Sequence, residues 1–253
     1  MNFTTPDGEA LVENFQFFQV DSNWYFAPGV DSEFTEGSTL GNYQSHTTGW
    51  DYNGIVCFAA GTLITTPHGP VPIERLRPGD LIMTLSGNAR PLRWTLVRRL
   101  SPIELSRNPN LRPIRMASGS LGHGYPKRDL LVSRQHRMLV RSPIVQRMLG
   151  EPAALIAAHH LTQLEGVRID TSIKQVDYHH LLFDKHEIVF AEGAPSESLH
   201  LGAQTCKTLP NEALDEIGNL FGTWVNILAA PCPAATKQRQ MVLRHQKNRH
   251  ALL

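Results

Sequence analysis

The chain has 253 residues, of which 41% are hydrophobic and 19% are charged, values that allow a packed core without metals or disulfides. No apolar stretch is long enough to cross a bilayer, and the N-terminus lacks the basic and apolar regions of a classical signal peptide. We therefore expect no membrane partner, and a location in the cytoplasm or outside the cell after export by another route.

Charge is distributed unevenly along the chain. Residues 1–56 contain no Lys or Arg and eight acidic residues, whereas the remainder has 24 basic and 15 acidic residues, a net charge of +9. Two interpretations stay open: two units that attract each other or have different fates, or ordinary drift between a flank and a domain. The three cysteines, Cys57, Cys206 and Cys232, are too few for a disulfide framework.

The first part of the chain is rich in small polar residues and aromatics. Gly, Asn, Ser, Thr and Asp are frequent in residues 1–53, and aromatic residues cluster near positions 17 and 25. This composition predicts short strands separated by glycine-rich breaks. We expect residues 1–56 to be an acidic N-terminal flank that forms a small β unit or a fragment of one.

Short strands and tight turns dominate from Cys57 onward. A hairpin is predicted around His68-Gly69, and a tight turn at Arg77-Pro78-Gly79-Asp80. Further strands are predicted at 81–85, 91–100, 130–132, 138–140, 167–174, 178–183 and 187–191. Turn signals spaced by roughly ten residues predict an all-β body.

Helices are predicted in three places. Residues 151–164 have helical spacing with Pro152 near the first turn, and residues 209–228 have Asn211 as a candidate N-cap. The basic tail after Pro233 predicts a solvated terminal helix rather than a nucleic-acid contact. We expect residues 204–253 to be a C-terminal helical extension with a basic tail.

Three sequence blocks, in this order, carry a resemblance to a known family. The first spans residues 57–80 and begins Cys57-Phe58-Ala59-Ala60-Gly61-Thr62, the second is Leu131-Val132-Ser133-Arg134-Gln135-His136, and the third runs from Tyr178-His179-His180 to His186 and Gly193. Together they resemble the Hint domain of hedgehog and intein proteins, and the residues after the third block resemble the bacterial hedgehog-type branch. The resemblance covers residues 57 to about 200.

The resemblance implies a fold and a reaction. The fold is a pseudo-symmetric, horseshoe-like β structure with a few short helices, here over residues 57–203. The reaction is autocatalytic: the Cys57 thiol attacks the preceding peptide bond, and an N–S acyl shift converts the Val56–Cys57 amide to a thioester. A thiolate is the attacking species, so the site must supply a base and must protonate the departing nitrogen.

Three residues are predicted to carry this chemistry. Cys57 is the nucleophile, Ser133 is the candidate polariser of the scissile carbonyl, and His136 is the candidate acid for the amide nitrogen. The histidine suits that role because its ordinary pKa lies near 6.5.

Three further residues have open roles. Asp129 is either an orienting partner of His136 or a simple turn acid. His179 stands where many inteins carry Asp and is a candidate for proton transfer. His186 resembles the histidine of the family's C-terminal block and is either catalytic or structural. His159 and His160 are interpreted as surface residues of the predicted 151–164 helix.

The chain departs from inteins at the end of the third block. Inteins end in His-Asn, whose Asn cyclises to release the following segment, but those positions fall near Glu197 and Ser198 here. Complete splicing is therefore not expected. We expect a monomer that acts once on its own N-terminal flank, with water, a thiol or an amine as the nucleophile that cleaves the thioester.

Two other function classes are compatible with the residues. A catalytically inactive Hint-fold interaction module is the main alternative, and chain intactness after expression distinguishes it from the enzyme. A nucleic-acid binder depends only on the basic remainder, where few aromatic residues are interleaved with the charges, so no nucleic-acid partner is expected. No cofactor or obligatory metal is expected either, because the 12 histidines form no compact zinc-type cluster.

Overall fold

The chain divides into two compact units. A computed structural model describes residues 2–8, 10–12, 15–20, 23–28, 39–40, 56–202, 209, 211–221 and 227–253. The first unit is Met1–Asp51 and the second is Tyr52–Leu253. Cys57 and all the other predicted site residues belong to the second unit.

The first unit contains short antiparallel strands. They are β1 (Asn2–Thr4), β2 (Ala10–Val12), β3 (Phe15–Val20), β4 (Asn23–Pro28) and β5 (Thr39–Leu40). β2, β1 and β5 form one sheet, and β3 and β4 pair as a second. The short strands predicted from the aromatic clusters are confirmed, since β3 and β4 contain both clusters.

The second unit is a β body with fourteen strands among its described residues. They are β6 (Phe58–Ala59), β7 (Leu63–Thr66), β8 (Gly69–Pro72), β9 (Leu81–Met83), β10 (Ala89–Pro91), β11 (Trp94–Leu100), β12 (Ile114–Met116), β13 (Leu130–Val132), β14 (Arg137–Val140), β15 (Ala154–Ala157), β16 (Val167–Ile169), β17 (Val176–Leu182), β18 (Ile188–Ala191) and β19 (Ala194–Glu197). The predominantly β fold class predicted from the turn signals is confirmed.

Two six-stranded antiparallel sheets dominate the body. One has the order β11-β17-β6-β13-β12-β16, and the other has the order β15-β14-β19-β18-β7-β8. A core cluster that includes Phe58, Ile64, Ile114, Val132 and Val189, each at most 1% exposed, contains residues of both sheets. Alternation of buried and exposed side chains along short strands places these apolar residues on the inner faces.

Turn chemistry fixes the strands that follow the predicted nucleophile. Gly61 has a φ of +84°, a left-handed conformation that favours glycine, and the Thr62 hydroxyl donates a 2.7 Å hydrogen bond to the Ala59 carbonyl. The predicted hairpin is confirmed as β7 and β8, with Thr66 paired to Gly69.

Five α-helices occur among the described residues, besides two short 3-10 helices at Ile73–Arg75 and Pro109–Leu111. The α-helices are α1 (Pro102–Arg107), α2 (Pro143–Leu149), α3 (Ala158–Leu161), α4 (Asn211–Phe221) and α5 (Ala235–Asn248). The C-terminal helices confirm the predicted helical extension. Of the predicted 209–228 helix, residues 210 and 222–226 lie outside the described residues, and residues 209, 227 and 228 are not helical. None of the described helices combines the length and apolar character that crossing a membrane requires.

The predicted helix over residues 151–164 is wrong. Residues 154–157 form β15, which pairs with β14 through Ala157 opposite Arg137, and only α3 is helical in this segment. All four residues of β15 are buried, so its sequence lacks the alternation that identifies a half-buried strand. His160 is 7% exposed, so the interpretation of this residue as a surface residue is also wrong.

The basic C-terminal tail forms the predicted helix, but one face of it is buried. Met241 and Val242 of α5 are 0% exposed and belong to the main core cluster. His245 is also 0% exposed, and its Nε2 atom lies 2.7 Å from the hydroxyl of Ser142, the N-cap residue of α2. The tail is therefore part of the folded body.

Candidate active site

Strand register places His180 opposite Cys57. β17 pairs with β6 through Tyr178 opposite Ala59 and His179 opposite Phe58. One further step along this register brings Cys57 and His180 together, and directly opposed residues lie on the same face of a sheet. Both are buried, with Cys57 6% and His180 1% exposed.

The His180 imidazole contacts both sides of the predicted reaction. Its Nδ1 atom is 2.8 Å from the carbonyl oxygen of Val56, and its Nε2 atom is 3.5 Å from Cys57 Sγ. A carbonyl oxygen can only accept, so Nδ1 carries the proton and donates it, which leaves Nε2 as an acceptor for the thiol proton in the uncharged ring.

Ser133 holds the nitrogen of the Val56–Cys57 bond. The Cys57 N–H donates a 3.0 Å hydrogen bond to Ser133 Oγ, and the Ser133 N–H donates a 3.0 Å bond to the Cys57 carbonyl. Ser133 directly follows β13, which pairs with β6 through Val132 opposite Phe58. The expected carbonyl polariser therefore lies on the nitrogen side of the bond, and it is His180 that binds the carbonyl.

His136 lies against the other face of the Cys57 segment. Its ring packs on the Phe58 ring with centroids 4.3 Å apart, and the residue is 0% exposed. Neither ring nitrogen makes a well-aligned hydrogen bond among the described residues, although the ring approaches the Cys57 backbone. Burial, and next the nearby charge of Arg137, lower the pKa of His136 to about 3, against a smaller opposing effect of the Cys57 backbone.

Burial also shifts the pKa values of the Cys57 thiol and the His180 imidazole. Burial raises the pKa of the Cys57 thiol, while a hydrogen bond with the Ser133 hydroxyl lowers it. Burial also lowers the pKa of His180 to about 4, and the bond to the Val56 carbonyl opposes that shift. At neutral pH the thiol and both imidazoles are therefore uncharged, and the thiolate must form as the proton moves to a neighbour.

Two predicted site residues lie elsewhere. The Asp129 carboxylate is paired with the Arg115 guanidinium at 2.9 Å and accepts the Ser118 N–H at 3.0 Å, contacts that favour a turn acid over a partner of His136. His179 is the neighbour of His180 on β17, so its side chain points to the opposite face of the strand. Its pKa is lowered by burial, against the opposing charges of Glu74 and Asp177.

His186 lies in a separate buried contact network. Its Nδ1 atom accepts the Ala229 N–H at 3.0 Å, and its Nε2 atom is 3.3 Å from Glu197 Oε2. His186 Nε2 and Glu197 Oε2 are close, but their geometry is not that of a hydrogen bond. Of the two roles left open for His186, these contacts favour the structural one.

More than half of the chain matches the model of one known protein family. A family model described as the Hint domain matches residues 56–203. The chain belongs to the Hint domain family. The matched segment begins at Val56, one residue before the nucleophile that the resemblance implies, and it contains Ser133, His136 and His180. No curated protein sequence matches the chain significantly.

Solved intein structures are similar to the Hint domain of this chain. A solution structure of a bacterial intein-like domain from Clostridium thermocellum is 15% identical, covers 56% of this chain and 97% of that chain, and has a TM-score of 0.38. A splice-inactive variant of the AceL NrdHF class 3 split intein is 16% identical, with the same coverages and TM-score. The MchDnaB-1 intein, as a variant, is 12% identical over 56% of this chain and 98% of its own, with a TM-score of 0.38. The family assignment rests on the match to residues 56–203.

In this chain, Glu197 and Ser198 occupy the positions where inteins have their terminal His-Asn pair. Glu197 and Ser198 are both 0% exposed. The Ser198 hydroxyl accepts the Glu187 N–H at 2.9 Å, and Glu197 accepts the Arg137 N–H at 2.8 Å. These two positions therefore have buried, hydrogen-bonded side chains in place of the His-Asn pair.

Sequence reasoning missed His180. Alternation along β17 puts Tyr178, His180 and Leu182 on one face, but it does not say which face meets Cys57. The sequence contains two adjacent histidines, and only the pairing of β17 with β6 decides which of them faces Cys57. No group of three or more His, Cys, Asp or Glu residues in the described part of the chain could hold a metal ion.

Proposed function

We propose that this chain is an autocatalytic self-processing protein whose Hint domain forms a thioester between Val56 and Cys57. The observation that carries the proposal is the double contact of His180, with the Val56 carbonyl through Nδ1 and with the Cys57 thiol through Nε2. One imidazole thus polarises the carbon to be attacked and accepts the proton of the attacking group. The division into residues 1–56, 57–203 and 204–253 is part of this proposal.

The first step is attack by sulfur on the Val56 carbonyl carbon. The thiol proton passes to His180 Nε2, an S–C bond forms, and negative charge develops on the Val56 oxygen. The imidazolium that results donates a stronger hydrogen bond through Nδ1 to that oxygen, because charged donors make stronger bonds than neutral ones. The base and the oxyanion donor therefore become effective at the same moment.

The second step is loss of the Cys57 nitrogen, which leaves only when it is protonated. One proton leaves sulfur and one reaches nitrogen, so the thiol proton suffices and no external acid is required. That proton is on His180 after the first step. Ser133 Oγ, hydrogen-bonded to the sulfur and 3.0 Å from the nitrogen, is therefore proposed to give its hydroxyl proton to nitrogen and to regain one from His180 Nε2 beside the sulfur. His136, the acid expected from the sequence, is the alternative donor of that same proton. Its resting ring is uncharged, so it acts only after it gains the proton, which the developing oxyanion favours by raising its pKa.

The thioester is then cleaved by an external nucleophile. Water, a small thiol or an amine attacks the Val56 acyl carbon, the C–S bond breaks, and the Cys57 sulfur leaves as the thiol. We assign no cleavage role to His186 or to the Glu197–Ser198 pair, because their polar atoms contact structural partners. The protein acts on its own flank, as a monomer, and each molecule turns over once.

Hydroxylamine tests this proposal because it converts thioesters to hydroxamates but leaves amides intact. The purified chain, treated at neutral pH, is expected to release a fragment of residues 1–56 that ends in a Val56 hydroxamate. The Cys57→Ala variant should yield none. An unmodified chain in both samples, with native circular dichroism, would support the inactive interaction module instead.

A further inference from the structure

A buried glutamate, Glu197, lies beside the start of β14, directly after the turn that contains His136. β14 and β19 pair through Met138 opposite Ser196, and one further step of that register brings Arg137 and Glu197 together. The Glu197 side chain is 0% exposed. A carboxylate buried to this extent is stable only when its oxygens are bound by donors or cations.

Both oxygens of Glu197 are bound within this corner of the fold. Oε1 accepts the Arg137 backbone N–H at 2.8 Å, and Oε2 accepts from the Arg137 guanidinium at 3.1 Å. Oε2 also lies 3.3 Å from Nε2 of His186, whose ring is held on its other side by the Ala229 N–H. The carboxylate thus links the start of β14 to the segment that follows the family match.

The peptide that Glu197 holds is directly attached to His136. The His136 N–H bonds to the Ser133 carbonyl at 3.1 Å, so Ser133 and His136 are the two ends of one turn. The Arg137 N–H is the next backbone donor after that turn. Fixing it restricts the backbone that carries His136, whose ring nitrogens make no well-aligned hydrogen bond among the described residues and only approach the Cys57 backbone.

We infer that Glu197 is a positioning residue that holds His136 against the Cys57 backbone through the Arg137 peptide. This inference rests on the proposed function, because positioning of His136 affects a rate only if the acyl shift occurs. It gives a physical reason for a buried carboxylate at the place where an intein has its terminal cleavage residues. The Ser133–His136 turn then depends on β19 as well as on β13.

Three variants of the full chain separate positioning from simple loss of stability. Glu197→Ala removes all the contacts, whereas Glu197→Gln keeps an acceptor for the Arg137 N–H and loses the charge. Asp170→Asn is the matched control, because Asp170 is also a buried carboxylate, with its side chain 4% exposed, paired with Arg115 and bound to the Ser172 N–H. Asp170 lies beyond the end of the edge strand β16, on the other sheet.

The kinetic readout is the rate of release of residues 1–56 by a small thiol. We expect Glu197→Ala to slow release about a hundredfold, the size of effect that a misplacement of about 1 Å has in catalysis. Glu197→Gln is expected to recover most of the rate, and Asp170→Asn to stay within about twofold of the wild type. Equal rates for Glu197→Ala and Asp170→Asn would overturn the inference.

A second readout does not depend on cleavage. In the Cys57→Ala background, amide hydrogen exchange of Arg137 and the ring resonances of His136 report the contact and its effect. Glu197→Ala is expected to accelerate that exchange at least tenfold and to shift the His136 ring resonances, while Asp170→Asn changes neither. If the wild type does not cleave but this pattern appears, the proposed function fails and the positioning stands. If Arg137 exchange and the His136 resonances are unchanged, the positioning fails.

Discussion

The Nδ1 atom of His180 lies 2.8 Å from the carbonyl oxygen of Val56, while its Nε2 atom is 3.5 Å from the sulfur of Cys57. One side chain therefore spans the electrophile and the nucleophile of the proposed acyl shift. Its position follows from the pairing of β17 with β6, so the sheet itself holds the reacting groups in place.

Replacement of His180 is expected to affect cleavage far more than replacement of its neighbour. His180→Ala removes the donor to the Val56 carbonyl and the acceptor for the thiol proton, so the rate of thiol-induced release should fall by at least about a hundredfold. His179→Ala is the matched control, since His179 is on the same strand and is also buried, at 5% exposed. Similar rates for the two variants would contradict the assignment of His180.

Ser133 is expected to contribute to stability as well as to rate. Ser133→Ala leaves the buried residue-57 N–H without its acceptor, which should lower the free energy of unfolding by about 1–3 kcal/mol. The measurement is urea denaturation in the uncut Cys57→Ala background, where that N–H remains. Ser133→Thr keeps a hydroxyl and should preserve both stability and, with Cys57 restored, the cleavage rate. A stable Ser133→Ala variant that cleaves normally would show that the hydroxyl is dispensable.

The stability of the uncut chain is expected to fall as the pH falls from about 6.5. Burial lowers the pKa of His136 to about 3 and of His180 to about 4 from an ordinary value of 6.5. Between about pH 6.5 and 4 the unfolded chain binds protons that the folded chain does not. Each of these histidines should therefore remove about 1.4 kcal/mol of unfolding free energy per pH unit in that window, and nothing above it.

Urea denaturation of the Cys57→Ala chain at pH 7.5, 6 and 5 checks this pH dependence. His160, whose pKa burial lowers to about 4, adds to the same slope. The control is therefore a second replacement, His180→Asn, which should reduce the slope by about 1.4 kcal/mol per pH unit. A slope that the second replacement does not alter would mean that His180 titrates alike in the folded and unfolded chains.

The C-terminal helix α5 is expected to stabilise the body through one face. Met241→Ala removes a side chain that is 0% exposed in the main core cluster, and should cost about 2–5 kcal/mol of unfolding free energy. Leu243→Ala, on the same helix but 50% exposed, should change it by about 0.5 kcal/mol or less. Thermal or urea denaturation of the two variants measures the difference, and equal effects would mean that the helix is not docked as described.

The hairpin and the turns after Cys57 were predictable because their chemistry is local. Gly69 and Gly79 have φ values of +109° and +99°, and each has a proline one or two residues before it, so a short window of sequence identifies these bends. Ser133 and His136 were likewise predictable as a pair, since a single turn brings them together.

The contact between His180 and Cys57 was not predictable, because it depends on strand register over 123 residues of separation. A shift of one residue would bring His179 to the site instead, and the adjacent histidines give no local preference. Residues 154–157, which form β15, were predicted to be helical for another reason. A strand buried on both faces has no alternation, and residues 154–157 therefore have the composition of a buried helix.

The most direct test follows the intact mass of the purified chain over hours under reducing conditions, with and without a small thiol. The proposed acyl shift at Cys57 predicts separation into residues 1–56 and 57–253, faster with the thiol, and no separation in the Cys57→Ala variant run beside it. A folded wild-type chain that stays whole under both conditions, or a Cys57→Ala chain that separates at the same bond, would contradict it.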